Sequence, residues 1–224
     1  GNLGVNYDFN YKNGDVVWDN KFILAYGLSK IKGDAKTAKT DDRIELNSLW
    51  GKKLNGQWYY SMYFNFKTQM DTGSDKNDLK ISHFFSPAYF QFGPGFLWKK
   101  NDNLSVNFSP AAAKLIEVHP HFTEFGPSFG VLQGDSSRFE FGASITGYYK
   151  LNIMTNVSVE NRLNLYSDYL DNPQNVDIDY QMNVIMKINK YLSANLAFQT
   201  IYDDNSIKAF QTREVFGLGV NYGF

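Results

Sequence analysis

Apolar and polar residues alternate with period two along most of the chain. Over residues 3–11 the odd positions are Leu3, Val5, Tyr7, Phe9 and Tyr11, and the even ones are Gly4, Asn6, Asp8 and Asn10. A β-strand points successive side chains to opposite faces, so this pattern predicts a strand with one apolar and one polar face. The same holds for Trp58, Tyr60, Met62, Phe64 and Phe66 against Gln57, Ser61, Asn65 and Lys67. It recurs in residues 138–150, in 177–188, and in the last strand, where Phe216, Leu218, Val220, Tyr222 and Phe224 alternate with Gly217, Gly219, Asn221 and Gly223.

Eleven strands are expected, at approximately 2–12, 15–30, 42–53, 57–70, 83–99, 104–117, 137–151, 157–168, 176–188, 192–203 and 213–224. Many are about ten residues or longer, against about five or six in soluble sandwiches. A tilted strand crosses a bilayer in about 9–11 residues. The connections alternate in length. Short ones such as Lys12-Asn13-Gly14-Asp15 and Leu54-Asn55-Gly56 suit two-residue hairpins, because Asn-Gly tolerates positive φ. Long polar ones fall near 30–42, 71–80, 118–137, 168–175 and 203–212. Tight turns at one end and long loops at the other is the arrangement of outer-membrane barrels.

The expected fold is therefore all-β: a single domain over 1–224, forming a transmembrane antiparallel up-and-down β-barrel. Such barrels have an even number of strands, so about twelve strands are expected. The odd count predicts one further ascending strand ahead of Gly1, the sequence from Gly1 onward being read as trimmed or mature. Two prolines in residues 84–96 predict bulges at Pro87 and near Pro94, and Pro110 predicts a third interruption. A soluble lipocalin-like barrel or β-sandwich shares the alternation. It differs in turning the apolar side inward.

Composition sharpens this picture. The chain of 224 residues is 17% aromatic, with 19 Phe, 15 Tyr and 4 Trp; its mean hydropathy is nevertheless −0.40. A barrel in lipid carries aromatics around its outside, concentrated at the interfaces. The absence of cysteine excludes disulfides and thiolate chemistry. A net charge of −1 and no basic stripe argue against nucleic acid as a partner. No apolar run approaches the roughly 18 residues of a membrane-spanning helix.

Several stretches carry a resemblance: Lys39-Thr40-Asp41-Asp42-Arg43-Ile44-Glu45-Leu46, Trp58-Tyr59-Tyr60 with Asn65-Phe66-Lys67-Thr68-Gln69, Leu170-Asp171-Asn172-Pro173-Gln174-Asn175-Val176-Asp177, and Ile201-Tyr202-Asp203-Asp204. With these the chain resembles an uncharacterised family of Bacteroidota outer-membrane proteins catalogued as a domain of unknown function. The resemblance implies the fold and the bacterial outer membrane, and implies no substrate or catalytic residue. The final strand, Phe216, Leu218, Val220, Tyr222 and Phe224, also resembles the signal read by the barrel-assembly machinery. Outer-membrane lipid, that machinery, and partner proteins of an envelope complex are the expected partners.

Candidate chemistry is sparse. His119 and His121 flank Pro120 in a long loop and are the candidate metal ligands; a solvated loop is the default, so no metal and no cofactor is expected. Ser82-His83, Ser128 and Ser136 supply hydroxyls, yet no nucleophile motif accompanies them, and no enzyme is expected. Acidic loop residues, among them Asp203-Asp204, read as solvated loops with divalent-cation binding as the alternative. The lumen is the informative region. Alternation sends Lys21, Arg43, Glu45, Lys67, Arg138, Glu140, Glu160, Arg162, Asp177 and Asp179 inward, with both signs in similar number. Such charges need pairing or water. The functional expectation is a small channel or transporter for a polar or amphiphilic solute. The alternatives are a structural subunit with a filled lumen and, less favoured, an outer-membrane enzyme.

Overall fold

The computed structural model describes residues 1–30, 37–74, 79–205 and 208–220. In chain order the strands are β1 (Asn2–Asp8), β2 (Tyr11–Asn13), β3 (Val16–Ser29), β4 (Ala38–Asn55), β5 (Trp58–Thr68), β6 (Gly73–Ser74), β7 (Lys80–Ser82), β8 (Ala88–Asn101), β9 (Leu104–Glu117), β10 (Ser137–Met154), β11 (Val157–Asp168), β12 (Asp177–Lys187), β13 (Leu192–Tyr202) and β14 (Gln211–Val220). One sheet runs β1-β3-β4-β5-β8-β9-β10-β11-β12-β13-β14, with β2 extending β1 along β3 and β6-β7 forming a small separate ribbon. This is the all-β, antiparallel up-and-down order of the barrel class expected from the alternation. Among the described residues β1 and β14 stand at the two ends of that order and do not pair with each other. No helix is long and apolar enough to cross a membrane, which says nothing of strands.

The described chain divides into two compact units. The first comprises Gly1–Lys53, Ser61–Pro94 and Ala112–Phe141; the second comprises Leu54–Tyr60, Gly95–Ala111 and Gly142–Phe224. In the first, β3 pairs with β4 in a ladder from Val16↔Lys52 to Ser29↔Ala38, with one irregularity at Gly27/Leu28. In the second, β10 to β14 pair in series, as in Lys150↔Glu160, Arg162↔Gln181 and Gln181↔Gln199.

The tight turns form as their residues dictate. Gly14 and Gly56 sit at φ of 53° and 57°, the left-handed region that a β-carbon disfavours and an Asn-Gly hairpin requires. Elsewhere the expected boundaries move. The strand anticipated from 83 starts at Ala88, because His83 and Ser86 close a turn on each other through paired backbone hydrogen bonds of 3.0 and 2.9 Å. Phe9 and Asn10 interrupt the first strand, where Asn10 Oδ1 accepts the Asn20 N–H at 2.9 Å in place of a ladder bond. Around Pro94, Gln91, Gly93 and Leu97 are shielded and Phe92, Pro94 and Phe96 face out in unbroken alternation. Near Pro110 the shielded parity does switch, from Asn107 and Ser109 to Ala112, Ile116 and Val118.

Burial decides which face is which. In β5, Ser61, Tyr63 and Asn65 are buried while Trp58, Tyr60 and Met62 are exposed. In β10, Glu140 and Ser144 are buried while Phe139, Phe141 and Ile145 are exposed. Water-soluble proteins shield apolar side chains, because that burial drives folding. Here the polar face is shielded and the apolar face is bare, the reverse of a lipocalin.

Candidate functional site, the shielded polar face

The charged positions assigned inward by alternation differ in how far they are shielded. Lys21, Glu45, Glu140 and Glu160 are buried, and Arg43, Lys67, Arg138, Arg162, Asp177 and Asp179 are half-buried. The strand period places them there. Their register then decides which meet.

In the first unit, Lys21 lies opposite Asp8 on β1, with Nζ 3.6 Å from the carboxylate. Arg43 Nη1 is 3.6 Å from Glu45 Oε2 two residues along the same strand, and Asn47 donates to the other Glu45 oxygen at 2.7 Å. Glu140 is fully buried between two cations: Arg138 Nε lies 3.0 Å from Oε1 and Lys114 Nζ lies 3.0 Å from Oε2. These are ion contacts whose angles fall short of hydrogen-bond geometry, so the attraction is chiefly that of charge. The triad carries a net charge of +1. In the second unit, Lys150 meets its register partner Glu160 at 2.9 Å. There Arg162 stacks over the Tyr148 ring at 5.2 Å, and Asp179 accepts from Gln199 at 3.0 Å. All these contacts run along one strand or between neighbouring strands, so they line a wall.

One connection folds back onto this face. The loop between β9 and β10 carries a short 3-10 turn, Pro120–Phe122. Its Val118 and Val131 pack with Ile116 of β9 into a small buried core, flanked by Tyr89, Phe122 and Phe129. Thr123 Oγ1 donates to Asp135 O at 2.6 Å, and its own backbone oxygen accepts from Gly134 N at 3.0 Å. Arg138 Nη1 donates to Gly130 O at 3.2 Å. Arg138 thus ties the folded-in loop to Glu140. Alternation alone does not find this loop, nor Lys114, whose parity changes at Pro110. The signal available was Val118, Phe122, Phe129 and Val131, apolar residues too irregularly spaced for a strand.

A second polar cluster sits at the loop end of the first unit. Lys39 Nζ donates to Asp42 Oδ2 at 2.6 Å and to Asp71 O at 2.8 Å. Asp42 accepts the backbone N–H groups of Met70 and Asp71 at 2.7 and 2.9 Å, and Tyr26 donates to Asp71 Oδ2 at 2.8 Å. The hydrogen bonds from Tyr26 and from the Thr72 N–H, aided by the Lys39 charge, hold the Asp71 carboxyl below its ordinary range. The cluster latches the segment after β5 onto β3 and β4.

The remaining candidates are placed as follows. His119 Nδ1 accepts from His121 N at 3.2 Å, its ring lies 5.3 Å from that of His83, and His121 Nδ1 is 3.8 Å from Glu124. Among the described residues the grouping with ligand atoms within 4.8 Å of one another is instead Asp177, Asp203 and Asp204, beside Asn175. Phe216 and Leu218 face out, as the final strand requires. The Val220 side chain, Tyr222 and Phe224 lie outside the described residues.

Fold and face together define an all-β, antiparallel up-and-down sheet of the barrel class, apolar on its exposed side and charged on its shielded side. The sequence model of one family, described as "Protein of unknown function (DUF3078)", matches residues 1–73. That stretch contains two of the four segments carrying the resemblance and the whole of the latch; segments 170–177 and 201–204 lie beyond it. No curated protein and no solved structure matches the chain.

Proposed function

We propose that this protein is an outer-membrane β-barrel whose charged interior passes small polar solutes, with the loop between β9 and β10 narrowing the path. The single observation that carries the reading is the inversion of the two faces. A bare apolar face of Phe139, Phe141, Met62 and Tyr60 is stable in hydrocarbon and costly in water. A shielded face holding Glu140, Glu45, Lys21 and Glu160 needs water or counter-charge close by. Pairing along the wall neutralises these groups in place and leaves the interior polar. At the folded-in loop the Lys114–Glu140–Arg138 triad presents a net positive charge, which favours anionic solutes over cationic ones of equal size.

Planar bilayers test the reading. The full chain should give discrete conductance steps, larger when residues 124–133 are deleted from the loop. No current from either protein would remove it. A second reading, a structural barrel with a filled interior, draws on the same loop, whose buried core of Ile116, Val118 and Val131 occupies the shielded face. It predicts sealed membranes and a partner that co-purifies under native conditions.

A further inference from the structure

Arg162, half-buried on the shielded face of β11, has no counter-charge among the described residues. Its neighbours in the interior differ: Lys21, Arg43, Lys114, Arg138 and Lys150 each lie within 3.6 Å of a carboxylate. The Arg162 charge instead stacks on the Tyr148 ring, 5.2 Å from its centroid. Nε is buried without a hydrogen bond, and the Nη groups make none with a described residue. The carboxylates closest in register are engaged elsewhere. Glu160 is held by Lys150 at 2.9 Å, and Asp179 accepts from Gln199 and Gln181 at 3.0 and 3.4 Å.

The register sets Arg162 in one rung across β10 to β14: Tyr148, Arg162, Gln181, Gln199 and Arg213. An ionised Asp179 can only accept, so both glutamines turn their amide NH2 groups towards it. Their carbonyl oxygens are left over, and neither accepts a hydrogen bond from a described residue. On this rung and the two beside it the charged side chains are Lys150, Arg162 and Arg213 against Glu160 and Asp179, a balance of +1.

An unpaired guanidinium half-shielded from water is unfavourable, and its planar fork matches a carboxylate through two parallel hydrogen bonds. Stacking on Tyr148 holds the plane of that fork. The amide oxygens belong to residues one and two strands along, about 5 and 10 Å away at the backbone, and suit hydroxyl donors. We propose that this rung is a binding subsite for a small carboxylate that also carries hydroxyl groups, a sugar acid by class. Arg162 holds the carboxylate, and Gln181 and Gln199 accept from the hydroxyls. The assignment rests on the reading of this face as a solute-filled interior. Its own content is the solute class.

The test is saturation-transfer NMR on the full chain folded in detergent micelles, titrated with glucuronate, with glucose (hydroxyls, no carboxylate) and with propionate (carboxylate, no hydroxyls). Glucuronate should bind at least about tenfold more tightly than glucose and about fivefold more tightly than propionate. R162Q should bring the first ratio towards one, and R162K, which keeps the charge and loses the fork, should retain part of it. Q181M/Q199M should bring the second ratio towards one; the compact, heat-modifiable band in electrophoresis establishes that each variant is folded. Equal binding of glucuronate and glucose by the parent, or an unchanged preference in R162Q, would overturn the subsite. Equal binding of glucuronate and propionate would overturn its assignment to a sugar acid. Planar bilayers on the same preparation separate the two readings. Current without glucuronate binding overturns the subsite and leaves passage standing, whereas binding without current supports the subsite and removes passage.

Discussion

Replacing Glu140 by leucine tests the account of the shielded face where the structure gives it the most energetic weight. The carboxylate is fully buried and is held at 3.0 Å by both Lys114 and Arg138. The substitution keeps the side chain's approximate volume and leaves two cations side by side. Stranding a buried charge costs roughly 3–5 kcal/mol. The Lys114 and Arg138 side chains retain 13% and 20% exposure, so some water reaches them, and the expected loss is at the lower end, about 3 kcal/mol. Lys150→Met is the comparison. It strands Glu160, whose side chain is only 7% exposed, so its loss should be of the same order, about 3 kcal/mol. Urea titration of the folded protein in lipid vesicles, followed by tryptophan emission, reads both. Adding Lys114→Met to Glu140→Leu should recover part of the loss, because one stranded cation is removed. If Glu140→Leu were as stable as the parent, the triad would be water-filled and the packing described here would be wrong.

Other outcomes follow from single contacts. A Cβ at Gly142 would collide with the Ser167 backbone carbonyl, and backbone cannot swing aside as a side chain can; Gly142→Val should therefore abolish the folded band in electrophoresis, whereas Gly147→Ala, whose added Cβ meets only Leu163 at 3.9 Å, should leave it intact. The latch gives a pH dependence with a definite sign. The Asp71 carboxyl is depressed in the folded state, so its contribution is present above the ordinary aspartate value and is lost as pH falls through the depressed one. Tyr26→Phe removes the leading cause and should move the onset of pepsin cleavage within residues 69–74 to higher pH.

The legible part of the fold was what period two controls. Alternation placed Glu140, Glu160 and Lys21 on one face and Phe139, Trp58 and Leu218 on the other, because side-chain direction in a strand follows position alone. Asn13-Gly14 and Asn55-Gly56 marked turns, since their backbone requirement is local. Face polarity, inside against outside, did not follow from alternation, which a lipocalin shares; strand length and the alternating loop lengths favoured the membrane barrel, and burial separates the two. The interior partners were half legible. Asp8 with Lys21 and Lys150 with Glu160 follow once the hairpin register is known, whereas Lys114 reaches Glu140 only after the parity switch near Pro110. The folded-in loop and the Asp42 latch were hidden for a different reason. They depend on long-range contacts, such as Val131 on Ile116 and Asp42 on the Met70 amide, that no local pattern encodes.

The central claim is that this sheet presents its apolar face to lipid and its polar face to water. The chain has no cysteine, so single cysteines can be placed along β12 and labelled in vesicles with a small charged thiol reagent. The account predicts alternation: cysteines at Asp179, Gln181 and Asn183 react, and those at Tyr180, Met182 and Val184 stay protected until the membrane is dissolved. Rapid labelling at Tyr180, Met182 and Val184 in intact vesicles, at the same rate as at their neighbours, would contradict it.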